Sequence, residues 1–251
     1  MVKNWMSFIV IFVFLTFSWF RILAQDVQQS SLVFSHVAIT QRNGNSNNIK
    51  ATGFIIPGTF LAYGALKPVI TGIQQLDDNI MLRVKKDHPS FHTHADDYLM
   101  WVPSASIYFA DALNIKSKHS FGEHLLLDAG SIIVTGSIGY AMRKIVGNNK
   151  TYTSHDTKFP SGHTANAFRG AEIVHQEFKD KNNLLSYSGY VVATAVGVLR
   201  IYNKNHLLTE VLAGAGLGIL STKLTYWVFY KFKDRKNRSV GFSLASLNCV
   251  P

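Results

Sequence analysis

The sequence predicts an all-α protein that folds as a single helical bundle. Apolar segments of helical length recur between residues 54 and 232, and the alternation of apolar and polar residues that is typical of strands is scarce. The chain has 251 residues, of which 47% are hydrophobic and 16% are charged, which suffices for one sizeable core. Because no internal repeat is visible, we expect one domain over residues 54–232.

The two ends of the chain predict segments outside this domain. A lysine near the start precedes an apolar stretch, and Ala24 is followed by polar residues, a layout that is typical of a secretory signal at residues 1–24. An uncleaved anchor helix is the alternative. Residues 25–53 predict a polar leader, and residues 233–251 predict a basic and polar tail.

Within the domain, the predicted helices differ in length. Proline and glycine residues interrupt the apolar segment 54–72, so short or broken helices are expected there. Residues 73–97 are polar and are assigned no helix. Longer helices are predicted at residues 98–114, 123–146, 163–178, 185–200 and 207–232.

Two of these helices are plausible membrane spans. A crossing helix needs about 20 predominantly apolar residues. Residues 125–142 and 211–230 approach this length, although Asp128 and Lys223 weaken them, and residues 186–199 are apolar but short. Segment by segment, a soluble or surface-attached bundle fits better than a multi-pass protein.

The formal net charge of +10 fits three classes of partner: a nucleic acid, a membrane surface or an anionic substrate. The basic residues are scattered or lie beside apolar segments, and no long basic tail is interleaved with aromatic residues. We therefore expect no nucleic-acid partner. The lone cysteine, Cys249, allows neither an intrachain disulfide nor a cysteine metal site.

The strongest local motif is Pro160-Ser161-Gly162-His163, which is expected to begin a helix. Ser161 is a good N-cap residue, and the free backbone N–H groups at such a helix start attract anions such as phosphate. His163 then lies where it can give a proton to a leaving oxygen. A plain capped helix start remains the alternative for this motif alone.

A second motif places Arg200, His206 and Glu210 across a short break in the helices. His206 and Glu210 are four residues apart and share a helix face. A carboxylate there can accept one ring N–H, which leaves the other ring nitrogen free to attack. Arg200 ends the preceding helix and can bind phosphate oxygens as a fork. An ordinary surface His–Glu pair is the alternative.

Together the two motifs resemble the phosphatidic acid phosphatase type 2 superfamily, which also includes the vanadium haloperoxidases, and in particular its bacterial acid phosphatase-like members. The pattern of that family is Lys, six residues, Arg-Pro; then Pro-Ser-Gly-His; then Ser-Arg, five residues, His, three residues, Asp. The second part is complete here, and the third has Leu199 for Ser and Glu210 for Asp. The first part is degenerate, because Arg143 is followed after six residues by Lys150-Thr151.

The resemblance covers about residues 98–225, and Asp96-Asp97-Tyr98-Leu99 also looks like bacterial members. It implies the family's helical bundle and a phosphatase without metal or other cofactor. His206 would be the nucleophile, Glu210 its orienting carboxylate and His163 the general acid and base. The groups that would hold the phosphoryl oxygens are Arg143, Lys150, Ser161, Gly162 and Arg200.

The resemblance leaves several alternatives open. The Lys150 and Glu210 departures allow an impaired homologue that binds phosphorylated lipid in the envelope, and a vanadate-dependent haloperoxidase is a further option. His92 and His94, near Asp96 and Asp97, allow a metal site in a polar loop. The expected substrate is a phosphorylated lipid or a small phosphate ester. We expect an exported protein, periplasmic or membrane-associated with its site outside the cytoplasm; a multi-pass inner-membrane protein is the alternative.

Overall fold

Helices make up nearly all of the chain that the structure, a computed structural model, describes: residues 51–146 and 159–247. A short 3-10 helix at Ala51–Phe54 precedes the α-helices. No strand occurs within the described residues, so the all-α prediction is confirmed for them. The helices are α1 (Ile55–Ala65), α2 (Thr71–Asp87), α3 (Ala95–Leu99), α4 (Val102–Ala112), α5 (Phe121–Val146), α6 (Gly162–Phe178), α7 (Asn183–Tyr202) and α8 (Leu208–Leu247). The predicted signal at 1–24 and most of the predicted leader lie outside the described residues.

The central helix of the bundle is α6, which packs against α4, α5, α7 and α8. Short connections make α7 antiparallel to both α6 and α8. Contacts of Arg169 with Asp128, and of Glu177 with His124, show that α5 is also antiparallel to α6. The start of α6, the end of α7 and the start of α8 therefore lie at the same end of the bundle.

Three charged residues of α6 are buried, and each has partners on neighbouring helices. Arg169 donates to Asp128 and Ser104. Glu172 accepts from Lys223 and Tyr190, while Glu177 accepts from His119, His124 and Tyr226. Burial of a charge is tolerated only with such pairing. The charges that make α6 a poor candidate for a membrane span are thus accommodated inside the bundle.

Close contact between α8 and α6 depends on Gly214 and Gly218. A Cβ at Gly214 would lie 2.6 Å from the carbonyl oxygen of Ser161, and one at Gly218 would lie 2.2 Å from that of Ala165. Both distances are far below van der Waals contact, so only glycine permits this approach. This close packing brings the start of α8 against the start of α6.

The sequence assigned no helix to residues 73–97, and this is wrong for α2. Ile73, Met81 and Val84 form a buried stripe, but Asp77 lies on the same face and breaks its apolar pattern. Asp77 caps the start of α8: its carboxylate accepts hydrogen bonds from the backbone N–H of Thr209 at 3.1 Å and from the hydroxyl of the same residue at 2.5 Å.

Two other helix boundaries differ from prediction. The helix expected at 98–114 is divided into α3 and α4 around Met100 and Trp101, with Pro103 in the first turn of α4, where proline is tolerated. The helix expected to end at Phe232 continues to Leu247, and the lysine and arginine residues that follow Phe232 are good helix formers.

Three helices are long and apolar enough to cross a membrane: Phe121–Ile145, Asn183–Tyr202 and Leu208–Lys233. The second corrects the expectation that residues 186–199 are too short, since the helix begins earlier and ends later than the apolar run. On α5, Leu126, Ile133 and Ile145 are each more than half exposed. This apolar surface and the three helices support a membrane protein.

Candidate active site

The turn between α7 and α8 brings His206 beside Arg200. Lys204 adopts a positive φ of 60°, which reverses the chain direction. The backbone N–H groups of Asn205 and His206 both donate to the carbonyl oxygen of Arg200, at 3.1 and 3.3 Å. The break that the sequence predicts at Asn203-Lys204-Asn205 therefore joins two predicted site residues across one tight turn.

His206 and Glu210 form the predicted pair. Nδ1 of His206 donates to a carboxylate oxygen of Glu210 at 2.8 Å, and the backbone N–H of Leu207 donates to the same oxygen at 3.2 Å. His206 is only 6% exposed and Glu210 is buried. The extra methylene of glutamate, relative to the aspartate of the family pattern, does not prevent this contact. Nε2 is left as the nitrogen with a free lone pair.

The start of α6 adjoins this pair through the backbone. The N–H of Ser161 donates to the carbonyl oxygen of Glu210 at 3.1 Å. Ser161 occupies the N-cap position, but its buried hydroxyl bonds Thr164 Oγ1 at 2.9 Å instead of capping a backbone N–H. The predicted N-cap position of Ser161 is therefore confirmed, although its hydroxyl does not cap the helix. Gly162 is exposed, and a Cβ there would meet nothing within 4 Å, so open space lies before the helix start.

His163 contacts Asp97, a residue to which the sequence gave no role. Nε2 of His163 donates to Oδ1 of Asp97 at 2.8 Å, and Nδ1 of His94 donates to Oδ2 at 3.2 Å. Burial and the nearby Arg200 cation lower the pKa of His163, while Asp97 opposes them. Burial raises the pKa of Asp97, but the hydrogen bonds from His94 and His163 outweigh it and hold that pKa below its usual value.

Arg200 is held by the neighbouring Asp96. Its Nη1 donates to Asp96 at 2.8 Å and lies 4.0 Å from Asp97. The Nε of Arg200 is buried and has no hydrogen-bond partner among the described residues. A buried N–H donor without a partner is costly, and an anionic oxygen would satisfy it.

Residues 93–97 are fastened to the end of α7 by Asn203. The side-chain amide of Asn203 accepts from the backbone N–H of Thr93 at 2.9 Å and donates to Asp96 at 3.0 Å. These bonds join residues about a hundred positions apart, so helical spacing could not predict them. The one available signal was the Asp96-Asp97 pair, which matched bacterial family members without indicating a partner.

Arg143 lies near the start of α6. It is exposed, its Nε donates to the carbonyl oxygen of Gly139 at 3.1 Å, and it lines a cleft with Pro160 and Gly162. This cleft, of about 170 Å³, does not reach His163, Arg200 or His206. Gly162 therefore lines the cleft of Arg143 and directly precedes His163 in the chain. Lys150, the second cation predicted for this part of the site, lies outside the described residues.

The residues at this site fit an anion better than a metal ion. Ligand atoms of Asp96, Asp97 and His163 lie within 4.8 Å of one another, so His163 completes this acidic group rather than His92 or His94. However, Arg200 and Asn203 already bond the two carboxylate oxygens of Asp96. A guanidinium beside the site would also oppose a cation.

Two known proteins are similar to parts of this chain. The lipid A 1-phosphatase of Porphyromonas gingivalis is 33% identical over 154 residues, which are 61% of this chain and 35% of that protein. The chain thus spans about a third of the length of this relative. Among solved structures, the transmembrane PAP2 type phosphatidylglycerolphosphate phosphatase from Bacillus subtilis aligns with a TM-score of 0.42 and 18% identity, over 72% of this chain and 96% of that one.

The family itself is established by a longer match. The family model of the PAP2 superfamily, the phosphatidic acid phosphatase type 2 group that the motifs resemble, matches residues 57–234. This range contains both motifs and all of the helices α2 to α7, and it confirms the resemblance drawn from Pro160 to His163 and from Arg200 to Glu210. The chain belongs to the PAP2 superfamily.

Proposed function

We propose that this chain is a phosphatase that hydrolyses a phosphomonoester or pyrophosphate through a phosphohistidine on His206. One observation carries the proposal: a tight turn joins the backbone of His206, which pairs with Glu210, to that of Arg200, whose buried Nε has no partner among the described residues. A nucleophile that is oriented by a carboxylate and placed beside an unsatisfied cationic donor is the arrangement that phosphoryl transfer requires.

His206 would begin the reaction. Because Glu210 accepts the Nδ1 proton, Nε2 carries the lone pair that attacks phosphorus. A bond forms between Nε2 and phosphorus while the bond from phosphorus to the leaving oxygen breaks. Protonated His163 gives its proton to that oxygen, which leaves as an alcohol or, from a pyrophosphate, as a phosphate.

Water would complete the reaction. Neutral His163 takes a proton from the water molecule, whose oxygen attacks the phosphorus of the phosphohistidine. The bond between phosphorus and nitrogen breaks, inorganic phosphate leaves and His206 regains its lone pair. By microscopic reversibility the residue that donated the proton in the first step accepts one in the second.

Positive charge around the phosphoryl group would replace a metal ion. Arg200 offers Nε, the family resemblance adds Arg143 and Lys150, and the open space before Gly162 lets an anion approach the backbone N–H groups of α6. Ser161 shapes this helix start through its bond to Thr164. Phosphoryl transfer depends mainly on such positioning and electrostatic stabilisation, so we expect chelators to leave turnover unchanged.

A phosphorylated lipid is the favoured substrate class. Three helices that are long and apolar enough to cross a membrane end at or begin from the site end of the bundle. This would hold the site at the level of lipid headgroups. The Porphyromonas gingivalis relative, named for dephosphorylating lipid A at its 1-position, matches over 61% of this chain. Small soluble esters remain substrates that the same groups can bind.

Phosphate release from a substrate panel tests the proposal. The full chain, purified in detergent, should release phosphate from a phosphorylated glycolipid faster than from p-nitrophenyl phosphate. It should do so equally with and without EDTA, and vanadate should inhibit it. Binding of the glycolipid without any phosphate release would instead indicate an impaired homologue. Oxidation of bromide by hydrogen peroxide after vanadate addition would indicate a haloperoxidase.

We also propose that the site faces the outside of the cell. Cytoplasmic flanks of membrane spans carry an excess of lysine and arginine. The flanks of the three candidate spans carry nine basic residues at the opposite end and six at the site end, which are Arg143, Lys144, Lys150, Lys158, Arg200 and Lys204. The basic residues at the opposite end include Lys116, Lys118, Lys179, Lys181, Lys231, Lys233 and Arg235.

Cysteine labelling in whole cells tests this orientation. In a Cys249→Ala background, exposed Ser90 at the site end and exposed Asn183 at the opposite end are replaced singly by cysteine. A membrane-impermeant maleimide should label Ser90→Cys in intact cells and Asn183→Cys only after permeabilisation. The reverse pattern would place the site in the cytoplasm.

A further inference from the structure

Among the described residues, Asp97 is the side chain that forms a hydrogen bond with His163, the proposed general acid. Its Oδ1 accepts from Nε2 of His163 at 2.8 Å, and its side chain is 44% exposed. Asp97 therefore borders solvent on one side and His163 on the other. Because a carboxylate that holds one ring nitrogen fixes the orientation of the imidazole, this contact also determines which nitrogen of His163 can serve the substrate.

The backbone beneath Asp97 is fixed to the catalytic end of the bundle. Thr93 and Asp96, the residue before Asp97, both form hydrogen bonds with the side chain of Asn203. Asp96 also accepts a hydrogen bond from Arg200. His94 donates to the outer oxygen of Asp97 at 3.2 Å. These contacts hold the Asp97 carboxylate in place relative to α6 and α7. The carboxylate can therefore fix the orientation of the His163 ring.

The contact has a direct chemical consequence for His163. With Nε2–H donated to Asp97, Nδ1 is the nitrogen that can carry a proton to the leaving oxygen. A negative charge 2.8 Å from the ring favours the protonated form, while the neighbouring Arg200 favours the neutral one. The charged groups that face His163 are therefore Asp97 and Asp96, which favour its proton, and Arg200, which opposes it.

We infer that Asp97 is a positioning residue, which orients His163 and favours the protonated form that donates to the leaving oxygen. The inference rests on the proposed function, because it assigns Asp97 to the proton-donating half of that same reaction. It adds a residue that lies outside both sequence motifs.

Leaving-group dependence in Asp97→Asn tests this role. An alkyl alcohol needs a proton to leave, whereas p-nitrophenolate leaves without one. We expect Asp97→Asn to lower kcat by roughly 10- to 100-fold for a short-chain phosphatidic acid, with kcat for p-nitrophenyl phosphate falling less than about threefold. Since loss of the carboxylate lowers the pKa of His163, the alkaline limb of kcat should move to lower pH. Asp78→Asn, at an exposed position of α2, is the matched control and should match the wild type.

A second readout does not need turnover. In the His206→Ala background, NMR titration of histidine ring signals should show a lower pKa for His163 when Asp97 is replaced by asparagine. An unchanged pKa would overturn the positioning role. This outcome is separate from failure of the proposed function, which would appear as a wild-type chain that turns over no phosphate ester.

Two kinetic results would also overturn the inference. Equal losses on both substrates, accompanied by a lower unfolding temperature, would show that Asp97 only supports the fold. A lower KM with unchanged kcat would show that the Asp97 carboxylate occupies the position of the substrate phosphate and competes with it.

Discussion

Replacement of His206 by alanine is expected to abolish phosphate release, with kcat falling by roughly 10⁴-fold or more. The reason is that no other group would supply the nitrogen that attacks phosphorus. Removal of a nucleophile typically costs about as much as removal of the whole catalytic set. Glu210 keeps the N–H of Leu207 as a donor, so the helix start should survive the change. Phosphate release and thermal unfolding in detergent, measured on the same preparation, check both statements.

His88→Ala is the matched control for this variant. His88 is an exposed histidine that contacts the ring of Tyr202 with a centroid distance of 5.4 Å, outside the proposed site. We expect its turnover to stay within about twofold of the wild type, as for most surface substitutions. Retained activity in His206→Ala would remove the nucleophile assignment, even if the family and the fold stand.

Arg200→Lys is expected to lower kcat/KM by about 100-fold, which corresponds to about 2.7 kcal/mol of transition-state stabilisation. Lysine keeps the charge but offers a single ammonium group. The guanidinium can bond Asp96 through Nη1 and still direct Nε at a phosphoryl oxygen. Lysine is preferred to alanine because alanine would leave the buried Asp96 without its cation. Such a loss destabilises a fold by about 3–5 kcal/mol.

Arg83→Lys is the matched control, because Arg83 is an exposed arginine of α2. Its kcat/KM should equal that of the wild type. If Arg200→Lys also kept wild-type kcat/KM, the guanidinium would not be needed to bind Asp96 and the phosphoryl group at the same time. A fall in activity that simply followed a fall in unfolding temperature would also contradict it.

Much of the site followed from sequence because its groups are close along the chain. Turn geometry and helix periodicity place Arg200, His206 and Glu210 together, and the Pro160 to His163 motif begins a helix as expected. What the sequence could not give depends on tertiary contacts. Asp97 reaches His163 across 66 residues, and Asp96 reaches Arg200 across 104.

The errors in the fold have more than one origin. No helix was predicted for α2 because Asp77 breaks its apolar stripe. The structure buries Asp77, whose carboxylate caps α8. The hydroxyl of Ser161 is used by Thr164 instead of the backbone. The span at Asn183–Tyr202 begins with polar residues that the apolar count excluded. A neighbouring helix therefore decides what Asp77 does, whereas the partner of Ser161 lies one turn further along its own helix.

Trapping of the phosphoenzyme with an alkaline quench tests the central claim most directly. The full chain is mixed with a phosphate ester, quenched within a turnover and digested under conditions that preserve acid-labile phosphoramidates. Mass spectrometry should then find phosphate on the ring of His206, and none on the same peptide of His206→Ala. Phosphate on His163, or steady turnover of the wild type with no phosphorylated histidine, would contradict the account.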